Sequence, residues 1–174
     1  ETSAEGRANY IAGRCDVYTT DASALAAQRS VFEDPTAHMV LPEIISKEPL
    51  GPVVRHGDDQ WYDIVKWSHN AMLVAEELGI TSKNLDERGA NANDPAAQGL
   101  LGTNTAKLGA MLGLEKSWAY NIIKQVGNYS ESFERNVGKD TALKLDRGLN
   151  ALWTNGGIQY LSLIHISEPT RPSQ

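Results

Sequence analysis

The chain has 174 residues, 41% of them hydrophobic and 22% charged, with a net charge of −6. These proportions are ordinary for one soluble globular domain and exclude the disordered and membrane-spanning classes. An acidic balance with a pI near 5.2 and no basic cluster excludes sequence-independent nucleic-acid binding, whose affinity comes from neutralised phosphates.

In chain order, Gly13-Arg14-Cys15-Asp16-Val17-Tyr18-Thr19-Thr20-Asp21 comes first. Val17 to Thr20 are β-branched or aromatic and suit a strand, and Asp21 precedes the helix-forming run 22–28. A strand ending where a helix begins puts Asp21 at the kind of edge that lines a binding crevice in an open α/β sheet. Two readings of Asp21 follow. It caps the helix by accepting a first-turn N–H, which needs no ligand, or its carboxylate meets one.

Residues 39–45 and 50–55 are two apolar, extended runs interrupted by Pro42 and Pro52, which places them at sheet edges or strand ends. The clearest helix runs from Asp59 to Leu78, with Asp58 as N-cap and Gly79 past its end. Trp61, Ile64, Val65, Ala71, Met72, Ala75 and Leu78 follow its period and are predicted to be core. Segment 81–95 is polar and rich in Asn and Asp, so a loop is expected there.

Beyond it the pattern is short helices punctuated by Gly102, Gly113, Gly127, Gly138 and Gly156. Asp94-Pro95 reads as an N-cap with proline at the first helical position, and Asn128 with Glu131 as a capping pair. Trp118, Ile122, Ile123 and Val126 form one apolar face; Leu145, Leu149, Leu152 and Trp153 form another. The expected class is α/β, helix-rich with a few short strands, too few to close a sheet of their own.

Chemistry-bearing motifs are sparse. The four histidines show no metal spacing, and Gly-x-Ser-x-Gly, Walker-type and Gly-x-Gly-x-x-Gly signatures are absent. No catalytic residue, metal site or cofactor is therefore assigned. The carboxylate pairs Asp58-Asp59 and Glu76-Glu77 lie at helix ends, where a dipole or solvated role accounts for them. Cys15, the only cysteine, reads as a buried small hydrophobe or as the disulfide partner of a cysteine in lost sequence. Residues 161–174 resemble translated sequencing-adapter read-through and are set aside from fold reasoning. The chain has no initiator methionine and begins within a structured pattern, so the lack of a leader says nothing.

Three stretches together carry a resemblance: Gly13 to Asp21; Val40 through Arg55 with Gly57-Asp58-Asp59-Gln60-Trp61; and Ile123 to Tyr129 with Phe133 to Gly138 and Arg147 to Trp153. In this order they resemble the periplasmic substrate-binding proteins of general L-amino-acid ABC transporters, across residues 6–160. The resemblance implies the C-terminal part of a two-lobed α/β fold. Residues 1–45 would end lobe two, and residues 46–160 would recross the hinge near Lys47-Glu48-Pro49-Leu50-Gly51 and add helices to lobe one. Roughly the first half of the family's chain would precede Glu1, including the arginine that clamps the ligand carboxylate.

Asp21 matches the family aspartate that contacts the ligand's α-ammonium, and Thr20 stands beside it as a second ligand residue. Such a charge-assisted bond contributes about 1.5 to 3 kcal/mol, one to two decades in affinity. The function implied is non-enzymatic capture of L-amino acids by a periplasmic monomer that closes on its ligand and engages permease subunits. Related folds also serve as dehydratase-like enzymes and as ligand-binding domains of sensors.

Overall fold

The computed structural model describes residues 2–47, 50–105 and 108–161. Glu48 and Pro49 of the expected hinge, and the expected non-native tail from residue 162 onward, lie outside them.

Helix α1 (Ser3–Ile11) opens with a capping box in which the Thr2 hydroxyl accepts from the Glu5 amide and the Glu5 carboxylate accepts from the Thr2 amide. Helix α2 (Ala22–Ser30) covers the predicted run 22–28 and buries Ala26. Arg7 Nη1 donates to Gln28 Oε1 at 3.0 Å and ties the two helices. Tyr10 sits at the middle of an aromatic cluster with Tyr18, Phe32 and His38, and its hydroxyl bonds His38 Nδ1 at 2.8 Å.

The expected strands do not form. Among the described residues no β-ladder exists; a single parallel bridge joins Leu152 and Gln159. Residues 17–20, 39–45 and 50–55 carry no pairing partner. A strand satisfies its N–H and C=O groups laterally, so β-branched sequence without a neighbouring strand stays irregular. Cys15 is exposed rather than buried.

The second half is a cluster of helices around α3 (Asp59–Glu77). Asp58 Oδ1 accepts from the Trp61 amide at 3.2 Å, as the N-cap reading predicts, and Gly79 follows the end at φ +66°. Of the predicted core face, Ala71 and Ala75 are buried, Ile64, Val65, Met72 and Leu78 are half-buried and Trp61 is 52% exposed, while Leu73, outside that face, is buried. Polar segment 81–95 is not a plain loop, since it contains α4 (Leu85–Ala90), whose Leu85 side chain is fully buried. One buried leucine in a polar stretch gives this turn its anchor.

Helix α5 (Pro95–Leu101) has the predicted Asp94 cap on the Ala97 amide and ends on Gly102 at φ +70°. After the four-residue α6 (Leu108–Met111) come α7 (Trp118–Val126) and α8 (Tyr129–Asn136). Helix α3 packs on α5, α7 and α8, and α4 packs on α5 and α7. Ala75, Ile80, Leu85, Ala97, Leu101 and Ile123 form the core, with Leu78, Leu100 and Tyr120 against it. Each large side chain buried there contributes about 1.5–3 kcal/mol.

Asn128 joins the start of α8 to the turn after α3. Its Oδ1 accepts from the Glu131 amide and its Nδ2 donates to the Ile80 carbonyl, both at 2.9 Å. Glu131 Oε2 accepts from the Asn128 amide at 2.9 Å and the Ser82 amide at 3.0 Å, and Oε1 accepts from Ser82 Oγ at 2.7 Å. Gly127 precedes this box at φ +88°, where a Cβ would stand 2.7 Å from Glu131 Cβ. Only glycine lets the box close.

The segment 145–153 was expected to present a helical apolar face, and it does not. It holds two 3-10 turns, Gly148–Asn150 and Trp153–Asn155, with Leu152 buried and Trp153 exposed. Gly148 at φ +46° breaks the helical path, and Arg147 is drawn into an ion pair with Glu76. Arg147 Nη2 donates to both Glu76 oxygens at 3.1 and 3.0 Å and to the Asn150 carbonyl, with the guanidinium over the Tyr129 and Phe133 rings. Glu76 is therefore a largely buried partner and not the solvated helix-end charge expected of it, because the chain returns over the end of α3.

Two outcomes follow for the 174-residue chain. Asn128→Ala removes a cap worth about 0.5–2 kcal/mol and strands the Ile80 carbonyl at about 1–3 kcal/mol, so urea denaturation should show a loss of about 2–4 kcal/mol. A loss below about 0.5 kcal/mol, the ordinary range for surface substitutions, would count against the bracket. Burial pushes the Glu131 carboxyl up, but the bonds from Ser82 and Asn128 outweigh it and hold the group below the usual carboxylate range. Its folded value lies below its unfolded one, so the stability it contributes is present above about pH 4.3 and is lost as pH falls through the folded value. Glu131→Gln should then cost most near neutrality and progressively less below about pH 4.3, measured as denaturation midpoints at successive pH values.

Candidate functional site

The site read from sequence is built where α1, the segment after it and the start of α2 meet. Gly13, at φ +67°, turns the chain after α1 so that residues 14–20 run back along the helix. The Tyr18 hydroxyl lies 3.0 Å from Ser3 Oγ, and its ring rests on Gly6, where a Cβ would stand 3.1 Å from Tyr18 Cε2. An open depression of about 600 Å³ results, and Ser3, Arg14, Tyr18, Thr19 and Thr20 are among its lining residues. Hydroxyls and one guanidinium dominate that lining; Arg14 Nη1 donates to Asn9 Oδ1 at 3.1 Å.

Thr20 is exposed and lines the depression, whereas Asp21, the next residue, does not line it. Asp21 occupies the N-cap position of α2 in the backbone sense, its carbonyl accepting from the Leu25 amide at 2.8 Å. Its side chain makes no cap hydrogen bond. The capping reading thus fails at the level of the side chain. An exposed carboxylate is left beside the positive end of a helix, and its oxygens remain available to a cationic donor.

Other chemistry is thin. Among the described residues, no group of three or more His, Cys, Asp or Glu side chains could hold a metal ion. No helix among them is long and apolar enough to cross a membrane. Reading residues singly missed the Glu76–Arg147 pair, whose 71-residue separation leaves no local signal. The Ser82–Glu131 contact was equally hidden, although the capping-box spacing at Asn128 marked one of its partners.

Known proteins resemble the chain over nearly all of its length. The general L-amino acid-binding periplasmic protein AapJ of Rhizobium johnstonii is 56% identical over 161 residues, which are 92% of this chain and 47% of that protein. The glutamate/glutamine/aspartate/asparagine-binding protein BztA of Rhodobacter capsulatus is 51% identical over 157 residues, 90% of this chain and 46% of that protein. A solved structure described as an ABC transporter periplasmic binding protein from Brucella ovis with glutathione bound matches with a TM-score of 0.83 at 52% identity, covering 92% of this chain and 50% of that one. No protein-family model matches.

The helical arrangement described above is therefore that of part of a periplasmic binding protein of an ABC transporter. The relatives that match it in sequence are named for binding amino acids. The chain spans about half the length of the relatives it matches.

Because the Asp21 carboxylate caps nothing, Asp21→Ala should change the stability of the 174-residue chain by no more than about 0.5 kcal/mol. A working cap would cost about 0.5–2 kcal/mol. Thermal or urea denaturation of the two proteins decides between them, and a loss above about 1 kcal/mol would restore the capping role.

Proposed function

We propose that this chain forms part of a non-enzymatic amino-acid receptor of an ABC importer, working in the periplasm as a monomer that delivers L-amino acids to permease subunits. The observation that carries the reading is 51–56% identity, across nine-tenths of the chain, to proteins named for binding amino acids. In this reading residues 1–45 end lobe two, and residues 46–160 recross the hinge and complete lobe one.

Asp21 takes the ligand's α-ammonium and Thr20 adds a neutral hydroxyl beside it. The support is the uncommitted carboxylate at the start of α2 and the polar depression that Thr20 lines. A carboxylate already engaged by its own helix would have to break those bonds to bind; this one does not. Ligand held between two lobes stabilises the closed form by its differential affinity for that form, which is the shape a permease would read. One lobe face alone offers half of the contacts, so the 174-residue chain by itself should not hold an amino acid at micromolar affinity.

The solved relative's glutathione adds a second ligand class to the same reading. Glutathione's γ-glutamyl group carries an α-ammonium and an α-carboxylate, so an aspartate that receives an amino acid's ammonium can receive this one too.

The test uses the full-length protein, completed by the sequence its relatives carry beyond the matched length. Calorimetry with a panel of L-amino acids and glutathione should give binding, and Asp21→Ala should weaken it at least about tenfold, near 1.4 kcal/mol. Analogues lacking the α-amino group should be insensitive to the substitution. An unchanged dissociation constant would reject Asp21 as the ammonium contact, and a flat titration across the whole panel would reject the receptor reading itself.

A further inference from the structure

We propose that Asn155-Gly156 is a deamidation site, paced by opening of the 3-10 turn that carries it, and that its isoaspartyl product loosens the loop 151–159. Every group involved lies between Ala151 and Gln159, so neither amino-acid binding nor the rest of the two-lobed fold enters into it.

Asn155 is the one asparagine of the chain that precedes a glycine. Glycine has no Cβ to hinder the approach of its own backbone nitrogen to the neighbouring side chain, and its φ adapts freely. The Asn155 side chain is also unengaged. Among the described residues its amide group makes no hydrogen bond, whereas the side-chain amides of Asn84, Asn128 and Asn136 are all bonded. In the reaction the Gly156 nitrogen bonds to Asn155 Cγ and gives up its proton, through water, to Nδ2. The Cγ–Nδ2 bond breaks and Nδ2 leaves as ammonia. One water then opens the five-membered imide. Cleavage at Cγ gives aspartate; cleavage at the Asn155 carbonyl carbon gives isoaspartate, whose main chain runs through Cβ and Cγ and gains a carbon.

The turn holds this chemistry in check. Asn155 is the last residue of the turn Trp153–Asn155, and its amide donates to the Leu152 carbonyl at 2.8 Å. The Gly156 N–H donates to the Trp153 carbonyl at 3.2 Å, so the nucleophile is itself occupied. Ring closure needs that nitrogen to swing into the plane of Asn155 Cβ and Cγ, which the ψ of a 3-10 turn does not allow. The turn is only three residues long, and short turns open locally well below the cost of global unfolding. Conversion then runs at the intrinsic rate times the fraction of time spent open.

The product falls in a loop without slack. The Gly157 amide donates to the Leu152 carbonyl at 3.0 Å, the Gln159 amide donates to the Ala151 carbonyl at 3.1 Å, and a Cβ at Gly157 would collide with that same carbonyl. An extra main-chain carbon between Thr154 and Gly156 has no room there while these bonds persist. Leu152, 5% exposed, is the buried side chain at the base of the loop.

The experiment ages the 174-residue chain at mildly alkaline pH, with and without urea, beside a peptide of residues 149–161, and follows each asparagine by peptide mapping with mass spectrometry. Asn155 should convert ahead of every other asparagine in the chain. In the folded chain it should convert at least about tenfold more slowly than in the peptide, and urea should remove the difference. Asn155→Gln should stop conversion at this position, because closure would then need a six-membered ring. Amide hydrogen exchange reads the product. Gly157 and Gln159 should exchange at least about tenfold faster in the isoaspartyl form than in Asn155→Asp, which carries the charge without the added carbon. Earlier conversion of another asparagine would overturn the site, and equal rates in peptide and folded chain would overturn its pacing by the turn. Equal exchange in the two carboxylate forms would overturn the loosening of the loop.

Discussion

The helical half of this chain depends on one hydrogen-bonded box at the start of α8. A capping box ordinarily closes within one helix end, satisfying its own first-turn donors. Here Asn128 and Glu131 each have capacity left over. The Asn128 amide group reaches the Ile80 carbonyl, and the Glu131 carboxylate takes both the amide and hydroxyl of Ser82. The turn after α3 is thereby fixed against α8, and Ile80, carried by that turn, is held fully buried among Ala75, Leu85, Ala97, Leu101 and Ile123. A polar device at the rim sets the position of an apolar side chain in the core.

A second long-range tie closes the same cluster from the other side. Arg147 grips Glu76 while its guanidinium lies over Tyr129 and Phe133, so the irregular segment after α8 is drawn back across the end of α3. Flat aromatic faces cover the cation without replacing its hydrogen bonds, which suits arginine better than lysine. Such a partly buried pair orients the chain more than it adds net stability, since removing two charges from water offsets much of their attraction. The Tyr129 hydroxyl is held above its usual range, mainly by burial, with Arg147 lowering it and Glu76 raising it.

The amino-terminal part is organised on a different principle. Its helices are tied by the Arg7–Gln28 side-chain bond and by the aromatic cluster around Tyr10. Among the described residues after it, 39–47 and 50–54 make no backbone hydrogen bond, and Met39, Leu41, Ile44, Ile45, Leu50 and Val53 are exposed. Commitment and availability are separated along the chain: the carboxylates that build the helical cluster are bonded, whereas Asp21 is not. A binding group has to be left unsatisfied by its own fold if a ligand is to satisfy it.

Signals confined to a few neighbouring residues were legible in the amino-acid sequence. The caps at Asp58, Asp94 and Asn128, the span of α3 and the glycine stops at Gly102 and Gly127 follow from local donors, acceptors and permitted φ angles, which sequence spacing states directly. The order of the resembling stretches from Gly13 to Trp153 also sufficed to place the chain with its relatives, as their identities bear out. What tertiary structure decided was which of those local possibilities found a partner. Trp61 has helical spacing yet stays 52% exposed, and Glu76 is largely buried because Arg147 returns to it from 71 residues away. The predicted strands stay irregular, and Asp21 is a cap by backbone position but not by side chain. Sequence carries each residue's capacity to bond or to be buried; only the folded chain settles which surface arrives to use it.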